Sequence, residues 1–286
     1  MDTPNLFSPL TIKGIGEVKN RIFMSPMTRD RTDMDLVPTD LMRTYYEQRT
    51  SAGLIITEAT QVSVDGQGYP LTPGVFTPEQ IAGWKKITDA VHAKGSKIVC
   101  QIWHCGRISH SSFQPDGLPP FAPSAVKPEV GQVATMEGMK DFETPREISV
   151  EGIKTVVEQF RQGALNCMEA GFDGIEIHAA NGYLLDQFLK DGANKRTDAY
   201  GGSLENRFRI VKEIMDATME AIGADKVGVH ITPGGTFNSL ADTAEETLDN
   251  FTYYIKQISL LQPAYLHIKL SDDQDVRHGG VIMTME

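Results

Sequence analysis

From residue 21 onward, short apolar and β-branched runs alternate with longer stretches whose apolar residues recur at helical spacing. The runs at 21–27 (RIFMSPM), 53–60 (GLIITEAT), 97–103 (KIVCQIW), 173–179 (DGIEIHA), 226–232 (KVGVHIT) and 264–270 (AYLHIKL) predict six strands. Segments 39–53, 77–95, 149–171, 203–223 and 243–263 predict the helices between them. The second helix has a complete start signal: Thr77 to cap, Pro78 at the first helical position and Gln80 to close a capping box. Thr243 and Glu246 repeat the box at the last helix, and Ser203 can cap the helix that follows it. Before the first strand, residues 6–22 predict a small hairpin turning around Gly14 to Gly16, placed to plug the bottom of a barrel. Segment 104–148, rich in Pro, Gly and Ser, reads as one long loop.

Strands joined by helices of this length run parallel, because each crossover returns the chain to the same edge of the sheet. The choice lies between a doubly wound open sheet and a (β/α)8 barrel. Polar residues in or at the ends of strands (Glu58, Gln101, Glu176, His178, His230) suit a barrel whose working face lies at the strand C-termini. The absence of G-x-G-x-x-G at the first helix weakens the dinucleotide-fold alternative. The expectation is an α/β fold of the (β/α)8 TIM-barrel type, with about six β/α units and an N-terminal β-hairpin, in one incomplete domain over residues 1–286.

Composition narrows the function classes. Of 286 residues, 27 are basic and 38 acidic, for a formal charge of −11, so nucleic acid and anionic membrane surfaces are repelled at long range. Three cysteines, Cys100, Cys105 and Cys167, lie in or beside apolar segments, as free thiols of a reducing cytosol do. The N-terminus lacks a basic start followed by an apolar stretch, and no apolar run approaches the roughly 18 residues of a membrane span. A cytoplasmic location follows as the expectation. No C-x-x-C or strand-end H-x-H appears, so no metal site is expected.

Strand alternation places Gln101 with Trp103, and Glu176 with His178, on shared faces. If those faces line the barrel, His178 stands at a strand end with Asn181 and Tyr183 in the loop above it. Two donors aimed at one point can polarise a carbonyl or hold an anion. A phenol, protonated at neutral pH, can deliver a proton to a basic carbon such as an enolate. Taken singly, a strand-end histidine is more often a satisfied structural residue, and Asn181-Gly182 reads as a plain turn.

The stretch HAANGYLLDQFLKDGANKRTDAYGGSLENRFR (178–209) resembles the signature of the old yellow enzyme family, flavin-dependent ene-reductases on a (β/α)8 barrel. NRIFMSPMTR, GLIITEAT, QIWHCGRISH and APSAV join it in order, so the resemblance runs from about Leu6 to Leu270. It implies non-covalent FMN across the barrel mouth, NADPH or NADH as reductant, and a small-molecule enone or related electrophilic alkene as substrate. Pro26, Met27 and Thr28 match the family's first-strand flavin contacts, Ala59 a close backbone approach to the ring, and Gln101 the glutamine on the flavin pyrimidine edge. His178 and Asn181 match the pair that binds the substrate carbonyl, and Tyr183 the proton donor. Trp103 and Phe237 are candidate walls of the substrate pocket. Arg196, Asp198, Glu205 and Arg207 are expected to support the site through salt bridges and a helix cap, outside the catalytic set.

Two departures qualify the resemblance. The family usually has an arginine near flavin N1 and O2 where this chain has His230, which predicts a lower flavin potential and a pH dependence near 6 to 7, from the ordinary histidine value of about 6.5. The chain also stops where the family continues for two more β/α units, which carry its phosphate-holding loops. Two strand edges are then expected to lie unpaired, and a homo-oligomer or completing partner could cover them. The alternative to the ene-reductase is therefore a non-catalytic or flavin-poor ligand-binding relative or fragment, and a metal-dependent barrel hydrolase is the weaker third class.

Overall fold

In the computed structural model, which describes residues 5–235, 240 and 244–270, the elements follow the predicted alternation. In chain order they are β1 (Leu10–Ile12), β2 (Gly16–Val18), β3 (Phe23–Met24), α1 (Asp40–Glu47), β4 (Leu54–Ile56), β5 (Thr60–Gln61), α2 (Pro78–Ala93), β6 (Lys97–Trp103) and β7 (Phe121–Ala122). There follow β8 (Gln132–Thr135), β9 (Gly138–Asp141), β10 (Arg146–Glu147), α3 (Val150–Glu169), β11 (Gly174–Ala179), α4 (Leu184–Leu189), α5 (Leu204–Ile222), β12 (Val227–Ile231), α6 (Ala244–Leu260) and β13 (Tyr265–Ile268).

The main sheet is parallel and runs β13-β12-β11-β6-β4-β3, with β5 prolonging the pairing along β6. Its two faces divide by alternation. Ile98, Cys100, Ile102, Ile175, Ile177, Val227, Val229 and Ile231 point to the helices and join one core with Phe160, Ile214 and Phe251. Burying each of these branched side chains contributes about 1.5–3 kcal/mol. The opposite face carries Gln101, Trp103, Glu176, His178 and His230, all buried, so polar chemistry is enclosed by the curl of the sheet. Hairpin β1-β2 closes the lower end of that enclosure: Ile12, Ile15 and Val18 pack on Leu54, Ile56 and Val99.

The chain adopts the expected TIM-barrel-type α/β architecture as a curled, open sheet. Among the described residues its path ends at β3 and β13, which do not pair, as the two expected free edges require. Residues of β13 are only half-buried, whereas those of β11 and β12 are all buried. The start signal at α2 is realised in full: Gln80 N–H donates to Thr77 Oγ1 at 3.3 Å, and Thr77 N–H donates to Gln80 Oε1 at 3.2 Å. Ser203 caps α5 through the Asn206 N–H, while the box expected at Thr243 lies outside the described residues. The three cysteines are buried and free.

Three elements differ from expectation. The helix predicted over 39–53 stops at Glu47, because Thr50 turns its hydroxyl onto the Glu47 carbonyl and competes with the helical pattern. The 104–148 loop contains the antiparallel hairpin β8-β9 and a short parallel pair, β7 with β10. Val133 of that hairpin, and Phe142 beyond it, reach back to Trp103 and Tyr183. Finally, α4 forms directly after Tyr183 with all six residues buried.

Candidate active site

The turn after β11 builds the centre of the site. Asn181 has φ 54° and Gly182 φ 77°, two successive left-handed residues that asparagine and glycine tolerate best. The reversal returns Tyr183 over the strand end, where the Gly182 N–H is held at 2.8 Å by buried Asp186. Asp186 pairs with Lys190 at 3.3 Å, and Lys190 Nζ donates to the Gly235 carbonyl, tying α4 to the loop after β12. Gln187 donates to the carbonyls of Cys105 and Gly182, which fixes the β6 and β11 loops against each other.

A cavity of about 100 Å³, room for one edge of a planar ring, is lined by Pro26, Thr28, Ala59, Gln101, Trp103, His178, Asn181, Tyr183 and His230. Nine residues singled out in the sequence thus meet at one place. Met27 does not join the wall; it is 44% exposed, in the segment after β3. Phe237 lies outside the described residues. A larger groove, about 720 Å³, lies among the 34–37 loop, the start of α2 and the β8-β9 turn, but none of the strand-end polar residues borders it.

Hydrogen bonds assign the polar atoms. Ala180 N–H donates to His178 Nδ1 at 3.3 Å, so a neutral His178 carries its hydrogen on Nε2. Burial, and secondarily the nearby His267 charge, pushes the His178 pKa down to about 3, so the ring is neutral at pH 7. Asn181 Oδ1 accepts from the Thr232 hydroxyl at 3.1 Å, which sets the carboxamide orientation. Gln101 Nε2 donates to Glu176 Oε1 at 2.7 Å and to His230 Nδ1 at 3.2 Å, leaving Gln101 Oε1 as an acceptor. His230 then bears its hydrogen on Nε2, and that atom and Trp103 Nε1 are buried donors without a protein partner.

Comparison with known proteins decides the family. Residues 5–280 match the NADH:flavin oxidoreductase / NADH oxidase family. The flavin oxidoreductase hxnT of Emericella nidulans is 46% identical over 272 residues, covering 92% of this chain and 69% of that protein. The chain belongs to the old yellow enzyme family. The 12-oxophytodienoate reductase 2 of Arabidopsis thaliana is 44% identical and is spanned over 67% of its length, and the 12-oxophytodienoate reductase 7 of Oryza sativa is 47% identical and is spanned over 58%. Among solved structures, morphinone reductase superposes with TM-score 0.92 at 43% identity, covering 99% of this chain and 75% of that one. The old yellow enzyme homologue from Zymomonas mobilis gives 0.88 at 40%, covering 93% and 73%.

In this old yellow enzyme relative the structure adds a residue that the sequence did not single out. Tyr69, in the loop after β5, places its hydroxyl 3.0 Å from that of Tyr183 and stacks on Trp103, with ring centroids 6.0 Å apart and planes 6° from parallel. No local pattern marks it; only its aromatic neighbours, 34 and 114 positions away, reveal the role. Burial is the first cause that raises both phenols, Tyr183 well above 10.

One expectation is corrected. Burial, followed by the charge of His178, holds the His230 pKa well below 6.5, so His230 does not titrate near pH 6 to 7. The expectation of no metal site rested on spacing within single strands, which does not report on groups assembled across strands. Three adjacent strands bring Glu176, His230 and His267 together, with one ligand atom from each lying within 4.8 Å of the others. Of the four residues expected to support the site, Arg196 pairs with Asp198 and donates to the carbonyls of Pro123 and Ile148, Arg207 reaches the Leu189 carbonyl at 3.5 Å, and Glu205 makes an exposed pair with Arg209 at 3.9 Å.

Proposed function

We propose that this chain is an FMN-dependent oxidoreductase that reduces the activated C=C bond of α,β-unsaturated carbonyl compounds with NAD(P)H. The carrying observation is the convergence on one cavity of the His178 imidazole, the Asn181 carboxamide and the Tyr183 phenol beside the polar edge formed by Gln101 and His230. The named relatives, 12-oxophytodienoate reductases and morphinone reductase, support the substrate class.

The residues present suit a flavin ring edge. Gln101 Oε1 would be free to accept from a ring N–H, and the unpartnered His230 Nε2–H would be available as a donor to the same ring edge. Pro26, Thr28 and Ala59 form the remaining wall, the last with a side chain small enough for close approach. Held there by Gln101, His230, Pro26, Thr28 and Ala59, FMN would supply the hydride chemistry that links NAD(P)H to the substrate β-carbon. His178 Nε2–H and the Asn181 amide hold the substrate carbonyl oxygen as negative charge grows on it. His178 does this as a neutral donor, since a pKa of about 3 leaves no imidazolium proton on the ring at pH 7 and only the Nε2–H hydrogen bond to offer. Tyr183 gives its proton to the α-carbon, and the Tyr69 hydroxyl 3.0 Å away orients it and shares the charge left behind.

The test is spectroscopic and kinetic. The purified chain is expected to bind FMN and to oxidise NADPH in the presence of a cyclic enone. Tyr183→Phe is expected to slow alkene reduction by about 10²–10⁴-fold while leaving flavin reduction within a few-fold. A chain that fails to perturb the FMN spectrum, or a Tyr183→Phe variant with unchanged alkene reduction, would overturn the proposal.

A further inference from the structure

Beneath the cavity lies a group of side chains that the proposed reaction does not use together. His230 of β12 is in register with His267 of β13, and Glu176 of β11 is in register with Gly228, two positions before His230 on the same inward face. At that level the Tyr265 ring fills the space beside Gly228, where a Cβ would come within 2.3 Å of it. We propose that Glu176, His230 and His267 form a binding site for a divalent transition ion of the zinc class, bridging β11, β12 and β13.

The electrostatics favour a cation. Glu176 is fully buried, and a carboxylate removed from water must be compensated. Its ion-pair partner is His267, at 3.1 Å, which is charged only when protonated. Between Glu176 Oε1 and His230 Nδ1 sits the amide nitrogen of Gln101, 2.7 Å from one and 3.2 Å from the other. Two acceptors therefore converge on a donor that a cation can replace, and His267 Nδ1 reaches the same carboxylate from the other side. Coordination through His230 Nδ1 leaves its Nε2 facing the cavity, so the site does not depend on the flavin reading.

The donor set selects the ion. Two imidazoles and one carboxylate suit zinc, cobalt, nickel or ferrous ions, whereas magnesium and calcium take oxygen ligands. Bonds of about 2.0–2.2 Å put tetrahedral ligand atoms about 3.3 Å apart, so the three must draw in from their spread of up to 4.8 Å. The His230 and His267 rings, 4.1 Å apart and 14° from parallel, must also open, because an imidazole nitrogen binds in its ring plane. His267 has the freedom to do so: its side chain is 25% exposed, on the strand at the open edge. Water completes the fourth position.

Cobalt and zinc test this on the full 286-residue chain after treatment with a chelator. Titration with Co²⁺ is expected to saturate at one equivalent with visible ligand-field bands, and Zn²⁺ to displace it and raise the thermal midpoint. His267→Ala and Glu176→Gln are each expected to weaken binding by at least about 100-fold and to abolish the zinc-dependent shift, since even outer-sphere changes cost 10–100-fold. His110→Ala, at a histidine outside the cluster whose ring bonds locally to Ser112, is expected to bind as the parent does. If buried Glu176→Gln does not fold, His267→Ala at the half-buried edge decides. No saturable one-equivalent binding by the parent, or parent-like binding by His267→Ala, overturns the proposal.

Discussion

His178 near pKa 3 and Tyr183 well above 10 bracket a wide range in which neither changes charge. Alkene reduction is therefore expected to be flat between about pH 5 and pH 9 in these two groups, and an inflection near 6.5 in the oxidative half-reaction would refute the assigned protonation states. Glu58 behaves differently. Burial lifts its pKa to about 7, against the opposing hydrogen bonds from the Arg29 N–H and the Tyr46 hydroxyl. Because the folded state holds that proton more tightly, the stabilisation is complete below about pH 4.5 and is lost as pH rises through 7. Glu58→Gln should gain on the parent by up to about 3 kcal/mol between pH 4.5 and 8, measured by urea unfolding at both values. At this scale the sequence was readable where strand alternation and strand ends fix direction, as for Gln101, Trp103 and His178. It was silent on Tyr69, whose role arises from loop packing, and on His267, whose partners come from two other strands.

Among the elements, α2 carries the clearest sequence signal, and its box is present with both hydrogen bonds. Thr77→Ala removes the acceptor for the Gln80 N–H and should cost about 1 kcal/mol, seen as a lower urea midpoint with unchanged slope. The parallel strands were equally visible, because strands buried on both faces are apolar runs bounded by turn residues. The β8-β9 hairpin was not. Its strands are four residues each, and Val133 and Thr135 are the buried positions in β8, too few to impose a visible period. Helix α4 escaped because a six-residue run buried on all sides has no polar face to reveal helical spacing.

The whole molecule is a curled sheet with two edges among its described residues, β3 and β13. Unpaired backbone groups on a half-buried strand invite pairing with another chain. Size-exclusion chromatography with light scattering is expected to show mass rising with protein concentration; a monomer at all concentrations would show that the edges are masked. The curl was foreseeable from the order of elements, whereas the depth at which each strand sits depends on neighbours that no local pattern encodes. The same opening has a chemical corollary. His267, a quarter exposed, touches the wholly buried carboxylate of Glu176, so a single imidazole separates that charge from the solvent along the open strand.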